Sequence, residues 1–172
     1  MKKENLSGLY TEKKRQHAVS SIFVFVLILI SLNGSENMKY AIITNNKLVN
    51  EYYKNEYTNK NLEKIVFMED KTFIEVLFLV RDKIHEGYKL LTHPLTGSVK
   101  PYETPYKSIV LSSEKSKIDF DSLSIIESSI EVTKKFLESY KPRNLKDKHL
   151  KDFRIIDKSL IDSGIESINQ VY

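Results

Sequence analysis

The side chains best equipped for chemistry fall in one stretch, LTHPLTGSVKPYETPYKS, residues 91–108. It holds His93, the hydroxyls of Thr96 and Ser98, the amines of Lys100 and Lys107, the phenols of Tyr102 and Tyr106, and Glu103. Three of the chain's four prolines, Pro94, Pro101 and Pro105, stiffen the backbone, so the loop loses less entropy on ordering. Gly97 permits a positive φ or the close approach of a guest, and successive N–H groups around it can form an anion-binding concavity. Hydroxyls at Thr96 and Ser98 and charge at Lys100 and Lys107 suit a carboxylate or a phosphate. The same residue types also fit a plain role, in which prolines stiffen a long connection and lysines are solvated.

Other chemistries have thinner support. Ser98 with His93 as base is the one candidate nucleophilic pair, and no G-x-S-x-G elbow accompanies it. A base must reach within hydrogen-bond distance of its target, and a short offset in a loop neither ensures nor forbids that. His93 is better read as a donor to a loop carbonyl or a bound anion. Glu103 is a candidate acid or base, although a glutamate between prolines more often caps a turn. Tyr102 and Tyr106 either line a pocket or pack on the sheet. Both phosphate-loop signatures, G-x-G-x-x-G and G-x-x-x-x-G-K-[ST], are missing. His85 and His93 lack a histidine-carboxylate cluster, so no metal site is expected, and no cofactor. His85 reads as a cation at a helix C-terminus, and His149 as solvent-facing.

Charge narrows the partners. The 27 basic and 23 acidic side chains leave a net +4, with the signs interspersed and no basic run beyond Lys13-Lys14-Arg15. Nucleic acid binding would want a concentrated basic stripe, so that class is set aside. Cysteine is absent, which excludes a disulfide framework and thiolate metal sites.

The elements that must position the loop begin at Met38. KYAII reads as a strand opening on Thr44-Asn45-Asn46, where either asparagine can cap a helix carrying Leu48, Val49, Tyr52 and Tyr53. LEKIVFM, from Leu62, reads as a second strand. Thr72 and Glu75 have capping-box spacing, with Phe73, Val76, Leu77, Val80 and Ile84 at helical intervals behind them and Gly87 as the stop. YKLLT, residues 88–92, reads as a third strand and YKSIVLS, residues 106–112, as a fourth. Two helices follow. The first has Asp119 or Asp121 as cap and ends at Lys141-Pro142. The second carries Leu150, Phe153, Ile156, Leu160, Ile161, Ile165 and Ile168, interrupted by Gly164, although DFRIID alone could be a strand.

Strands alternating with helices predict an α/β fold, a small mostly parallel sheet of about four strands with helices packed on it. Ligands of such sheets bind beyond the carboxyl ends of strands. Two ends are polar here, and if the first and third strands are neighbours, Asn45 and Asn46 face Thr96 and Ser98.

Residues 1–37 form an N-terminal extension. It holds an uncharged run from Ala18 to Leu32, AVSSIFVFVLILISL, behind a basic flank. The run is short for the roughly 20 residues of a spanning helix and lacks a good cleavage site. Membrane contact is expected only through 18–32, if that segment is retained. MKYAIITNN from Met38 looks like the natural start of a domain.

MKYAIITNNKLV and LLTHPLTGSVKPYETPYKSIVLS resemble the GrdX family, small proteins encoded beside the selenium-dependent glycine, sarcosine and betaine reductase systems of anaerobic bacteria. The resemblance covers most of residues 38–172, expected to form a single α/β domain. It implies a metabolic neighbourhood and no particular reaction. It also implies a cytoplasmic protein, with membrane anchoring through 18–32 as the alternative, and glycine reductase components as partners. The expectation is thus an accessory or regulatory protein that binds an anionic small molecule through Asn45, Asn46, His93, Thr96, Gly97, Ser98, Lys100, Tyr106 and Lys107. A small hydrolase or transferase acting on a phosphorylated or acylated metabolite, and a protein-protein adaptor, are the alternatives.

Overall fold

Alternation along Tyr40–Thr44 makes it a strand buried on both faces: Tyr40 and Ile42 enter one apolar layer and Ile43 the other. The computed structural model describes residues 38–55, 60–95, 99–141 and 143–171. In chain order, β1 (Tyr40–Thr44) is followed by α1 (Lys47–Asn55), β2 (Leu62–Phe67), α2 (Phe73–His85), β3 (Ser108–Ser112), α3 (Phe120–Ser139) and α4 (Asp147–Val171). The sheet order is β2-β1-β3, with β2 parallel and β3 antiparallel to β1. Ile109 and Leu111 of β3 join Ile43 beneath Val76, Leu77, Val80 and Ile84 of α2 and Ile126 and Ile130 of α3. Val110 joins Tyr40 and Ile42 on the other face, beneath Val49 of α1 and Ile161, Ile165 and Ile168 of α4. The hydropathic segment 18–32 lies outside the described residues, among which no helix is long and apolar enough to cross a membrane.

The expected sheet of about four mostly parallel strands is corrected to three strands with one parallel pair. The connection is the reason. A parallel return needs a crossover of a dozen or more residues, usually a helix. Between α2 and β3 the chain instead runs along β3 at residues 88–92 and then doubles back, so β3 enters antiparallel beside β1. The expected third strand keeps one bridge, Leu90 with Leu111, and two backbone bonds, Leu91 N–H to the Val110 carbonyl (3.0 Å) and Ser112 N–H to the Lys89 carbonyl (2.8 Å). Hydroxyls take the other ladder positions. Leu90 N–H donates to Ser122 Oγ (3.0 Å), Lys89 N–H to Ser112 Oγ (2.8 Å), and Val110 N–H to Thr92 Oγ1 (2.9 Å). The first and third expected strands are therefore not neighbours, because β3 lies between them.

Local signals fix the helix ends. Asn46 Oδ1 accepts Leu48 N–H (3.0 Å) at the start of α1, and Asp119 Oδ1 accepts Ser122 N–H (2.7 Å) at the start of α3. At α2, Glu75 Oε2 accepts both the N–H and the hydroxyl of Thr72 at 2.8 Å. That backbone bond, with Lys71 beside it, holds the Glu75 carboxyl at about 2. Helix α4 runs unbroken through Gly164, where a Cβ would stand 2.8 Å from Thr92 Cγ2. The missing side chain lets α4 approach the 88–92 segment.

Gly87 stops α2 with φ 99°, and a Cβ there would collide with the Ser116 carbonyl oxygen. Gly87→Ala is expected to cost about 2 kcal/mol or more of folding free energy. Urea unfolding of the two proteins measures it, and equal midpoints would show that Gly87 is replaceable.

Candidate functional site

The β1–β3 register sets Thr44 opposite Ser108, and period-two alternation puts both on the face of Ile42 and Val110, toward α4. On α4, Asp157 precedes Ile161 by one helical repeat, so a carboxylate occupies the first position of the buried stripe. It is 6% exposed and meets the polar strand ends. Asp157 Oδ1 accepts Ser108 N–H (2.9 Å), and its Oδ2 accepts Ser108 Oγ (2.7 Å) and Asn46 Nδ2 (2.9 Å). Since Ser108 gives its only hydroxyl hydrogen to the carboxylate, Thr44 donates in the 2.6 Å Thr44–Ser108 contact. Thr44 Oγ1 in turn accepts Asn46 N–H (2.9 Å). The hydroxyl hydrogens thus form an ordered chain ending on Asp157.

Asn45 and Asn46 are placed by this edge and committed to it. Both hydrogens of Asn45 Nδ2 go to carbonyls, of Lys71 (2.7 Å) and Pro105 (2.8 Å), while its Oδ1 accepts Lys107 N–H (2.7 Å). Asn46 Nδ2 bonds the Arg154 carbonyl (2.9 Å) as well as Asp157. Their amides hold the loop, the start of α2 and α4 together. They carry no spare side-chain hydrogen toward a guest.

The Lys107 side chain is the outlier. The residue is only 5% exposed, and among the described residues none accepts a hydrogen bond or forms an ion pair with its Nζ. Burial pushes its amine below the ordinary 10.5, with the Asp157 charge opposing the shift. It lines two cavities. The smaller, about 130 Å³, is walled by Phe73, Leu95, Val99, Phe136, Phe153 and Leu160, with Lys100, Tyr106 and Asp157 as further polar lining. The larger, about 470 Å³, lies on the other side, against Leu91, Thr92, His93 and the small-residue face of α4 at Ser163, Gly164 and Ser167.

The loop between them is packed. Tyr102 stacks on Tyr140 of the α3 C-cap, with centroids 4.6 Å apart at 15°, and sits 5.9 Å from Phe136. Tyr106 lies under the Arg154 guanidinium at 5.0 Å. Glu103 closes a turn, accepting Lys100 N–H at 3.0 Å, and pairs with Arg143 at 3.5 Å. Lys100 is exposed, 5.9 Å above the Phe136 ring, and His93 is exposed with Nδ1 accepting Leu95 N–H (3.1 Å), which leaves Nε2 to carry the proton. Thr96, Gly97 and Ser98 lie outside the described residues. The structure therefore gathers His93, Lys100, Tyr106 and Lys107 around the two cavities. Asp157 was missed by sequence reasoning, and its signal was an acid standing in register with Ile161, Ile165 and Ile168.

Residues 41–166 match the family described as GrdX-like protein. The chain belongs to this family. The match spans β1 through most of α4, so it includes Lys107, Asp157, the loop and nearly every wall of both cavities. No curated protein and no solved structure shows a significant match.

Asp157→Ala strands Ser108 N–H and an Asn46 amide hydrogen in the interior, and is expected to cost about 3 kcal/mol. Denaturant unfolding measures it. A change below about 1 kcal/mol would mean that solvent replaces the carboxylate freely.

Lys107 gives a pH signature. Its folded amine titrates below the unfolded 10.5, so between those values the unfolded chain binds more protons and stability rises with pH. Below the folded value the burial penalty is fully present. Unfolding free energy of wild type minus Lys107→Met should therefore climb on the alkaline side up to about 10.5. A flat difference would show that the amine is not desolvated.

Proposed function

We propose that this GrdX-like chain is an accessory protein that binds a small anionic metabolite, a carboxylate or a phosphate, at the cavities beside the 93–107 loop. One observation carries the reading: Lys107, buried and with no acceptor for its amine among the described residues, lines both cavities. A desolvated amine without a partner is a poor way to stabilise a fold, and an incoming anion supplies the missing acceptor and charge. Binding then opposes the effect of burial and favours the charged form of the Lys107 amine. Lys100 and the Nε2–H of His93 add attraction toward the two cavities, and the stacked Tyr102 and tied Asn45 keep the site formed before the guest arrives. The family's association with glycine, sarcosine and betaine reductase systems points to metabolites of that neighbourhood and to work in the cytoplasm.

A thermal-shift panel of acetate, glycine, betaine, acetyl phosphate and orthophosphate tests the proposal. At least one anion should raise the melting temperature of wild type by several degrees, with the rise lost in Lys107→Met and reduced in Lys100→Ala. No rise with any compound, or an equal rise in Lys107→Met, would refute it.

A further inference from the structure

We infer that Lys107 is a nucleophilic amine that captures a small carbonyl-bearing acid, such as a 2-oxo acid or an aldehyde acid, as a reversible imine in the smaller cavity. The inference rests on the anion-site reading above and adds a covalent step to it. Three observations on the same residue support it. The residue is only 5% exposed and still lines open space, its Nζ has no acceptor among the described residues, and mostly apolar side chains wall the smaller cavity. Lysines held in apolar pockets are the ones that form Schiff bases, because the free amine and not the ammonium attacks. The lowered amine titration agrees with this placement. A structural lysine would instead be tied to Asp157, yet that carboxylate is already engaged by Ser108 and Asn46.

The step balances without an oxidant or reductant. The Nζ lone pair attacks the carbonyl carbon, the C–N bond forms, and the carbonyl π pair moves to oxygen, which gains the proton that nitrogen gives up. The carbinolamine hydroxyl then leaves as water, taking the remaining nitrogen hydrogen as its proton, while nitrogen's lone pair completes C=N, and hydrolysis reverses the sequence. The acid's carboxylate lies toward Lys100, the second cation of the same cavity. About 130 Å³ suits an acid of a few heavy atoms.

The test is reductive trapping. The full chain is incubated with glyoxylate or pyruvate, reduced with borohydride, and the modified residue mapped by peptide mass. A single adduct on Lys107 is expected, at about tenfold or more over the exposed Lys89 and Lys100, lost when the protein is unfolded first and reduced by excess lactate, which has no carbonyl to react. Lys107→Met should abolish it while still melting cooperatively. Should that variant not fold, the lactate competition and site mapping in wild type decide instead. Adducts spread over surface lysines, or none at Lys107, would overturn the imine. A lactate shift without a pyruvate adduct sinks only this inference. Absence of both shift and adduct removes the anion site as well.

Discussion

One buried carboxylate decides how this sheet meets its helices. Asp157 takes the first position of a stripe that is otherwise isoleucine, so α4 can dock only where donors await it. Those donors exist at a single place, the edge where Thr44 and Ser108 face each other and Asn46 starts α1. An apolar stripe alone would let α4 slide along the sheet at small cost. Three hydrogen bonds to one carboxylate forbid that, because any slip leaves a buried charge without partners. The site depends on this registration, since α4 contributes walls to both cavities.

The loop is held by the same edge and from the opposite side. Asn45 binds its backbone at Pro105 and Lys107, while Tyr102 stacks against the end of α3. Rigidity thus comes from contacts with the end of β1 and the end of α3 as much as from prolines. Fixing the backbone at Lys107 places its side chain in the interior, one residue before β3 begins. Elements that look like simple connections are what keep an amine in a place it would otherwise leave.

Much of the architecture was legible because its signals are local. Caps at Asn46, Thr72 and Asp119, the stop at Gly87 and the periodic faces of α2 and α3 each follow from a few neighbouring residues. Strand direction was not, because it depends on whether a connection crosses over or doubles back. The residues 88–92 looked like a strand by composition, yet side-chain hydroxyls of Ser112, Ser122 and Thr92 stand in for most of its ladder. The importance of the 93–107 loop could be read from its residue types. The role of Asn45 and Asn46 as internal ties could not, since it requires knowing which carbonyls come within reach. The membership of Asp157 in the site also needed the register between β3 and α4, which lies in no single segment.

The hydroxyl-stitched seam at 88–92 has a kinetic consequence. A backbone ladder opens only when several amides lose their partners together, whereas serine and threonine oxygens can be replaced by water one at a time. This outer run can therefore peel away while β1, β2 and β3 stay paired. Leu91 and Thr92 belong to that run and wall the larger cavity, so its least costly excursion is also a doorway to the interior amine.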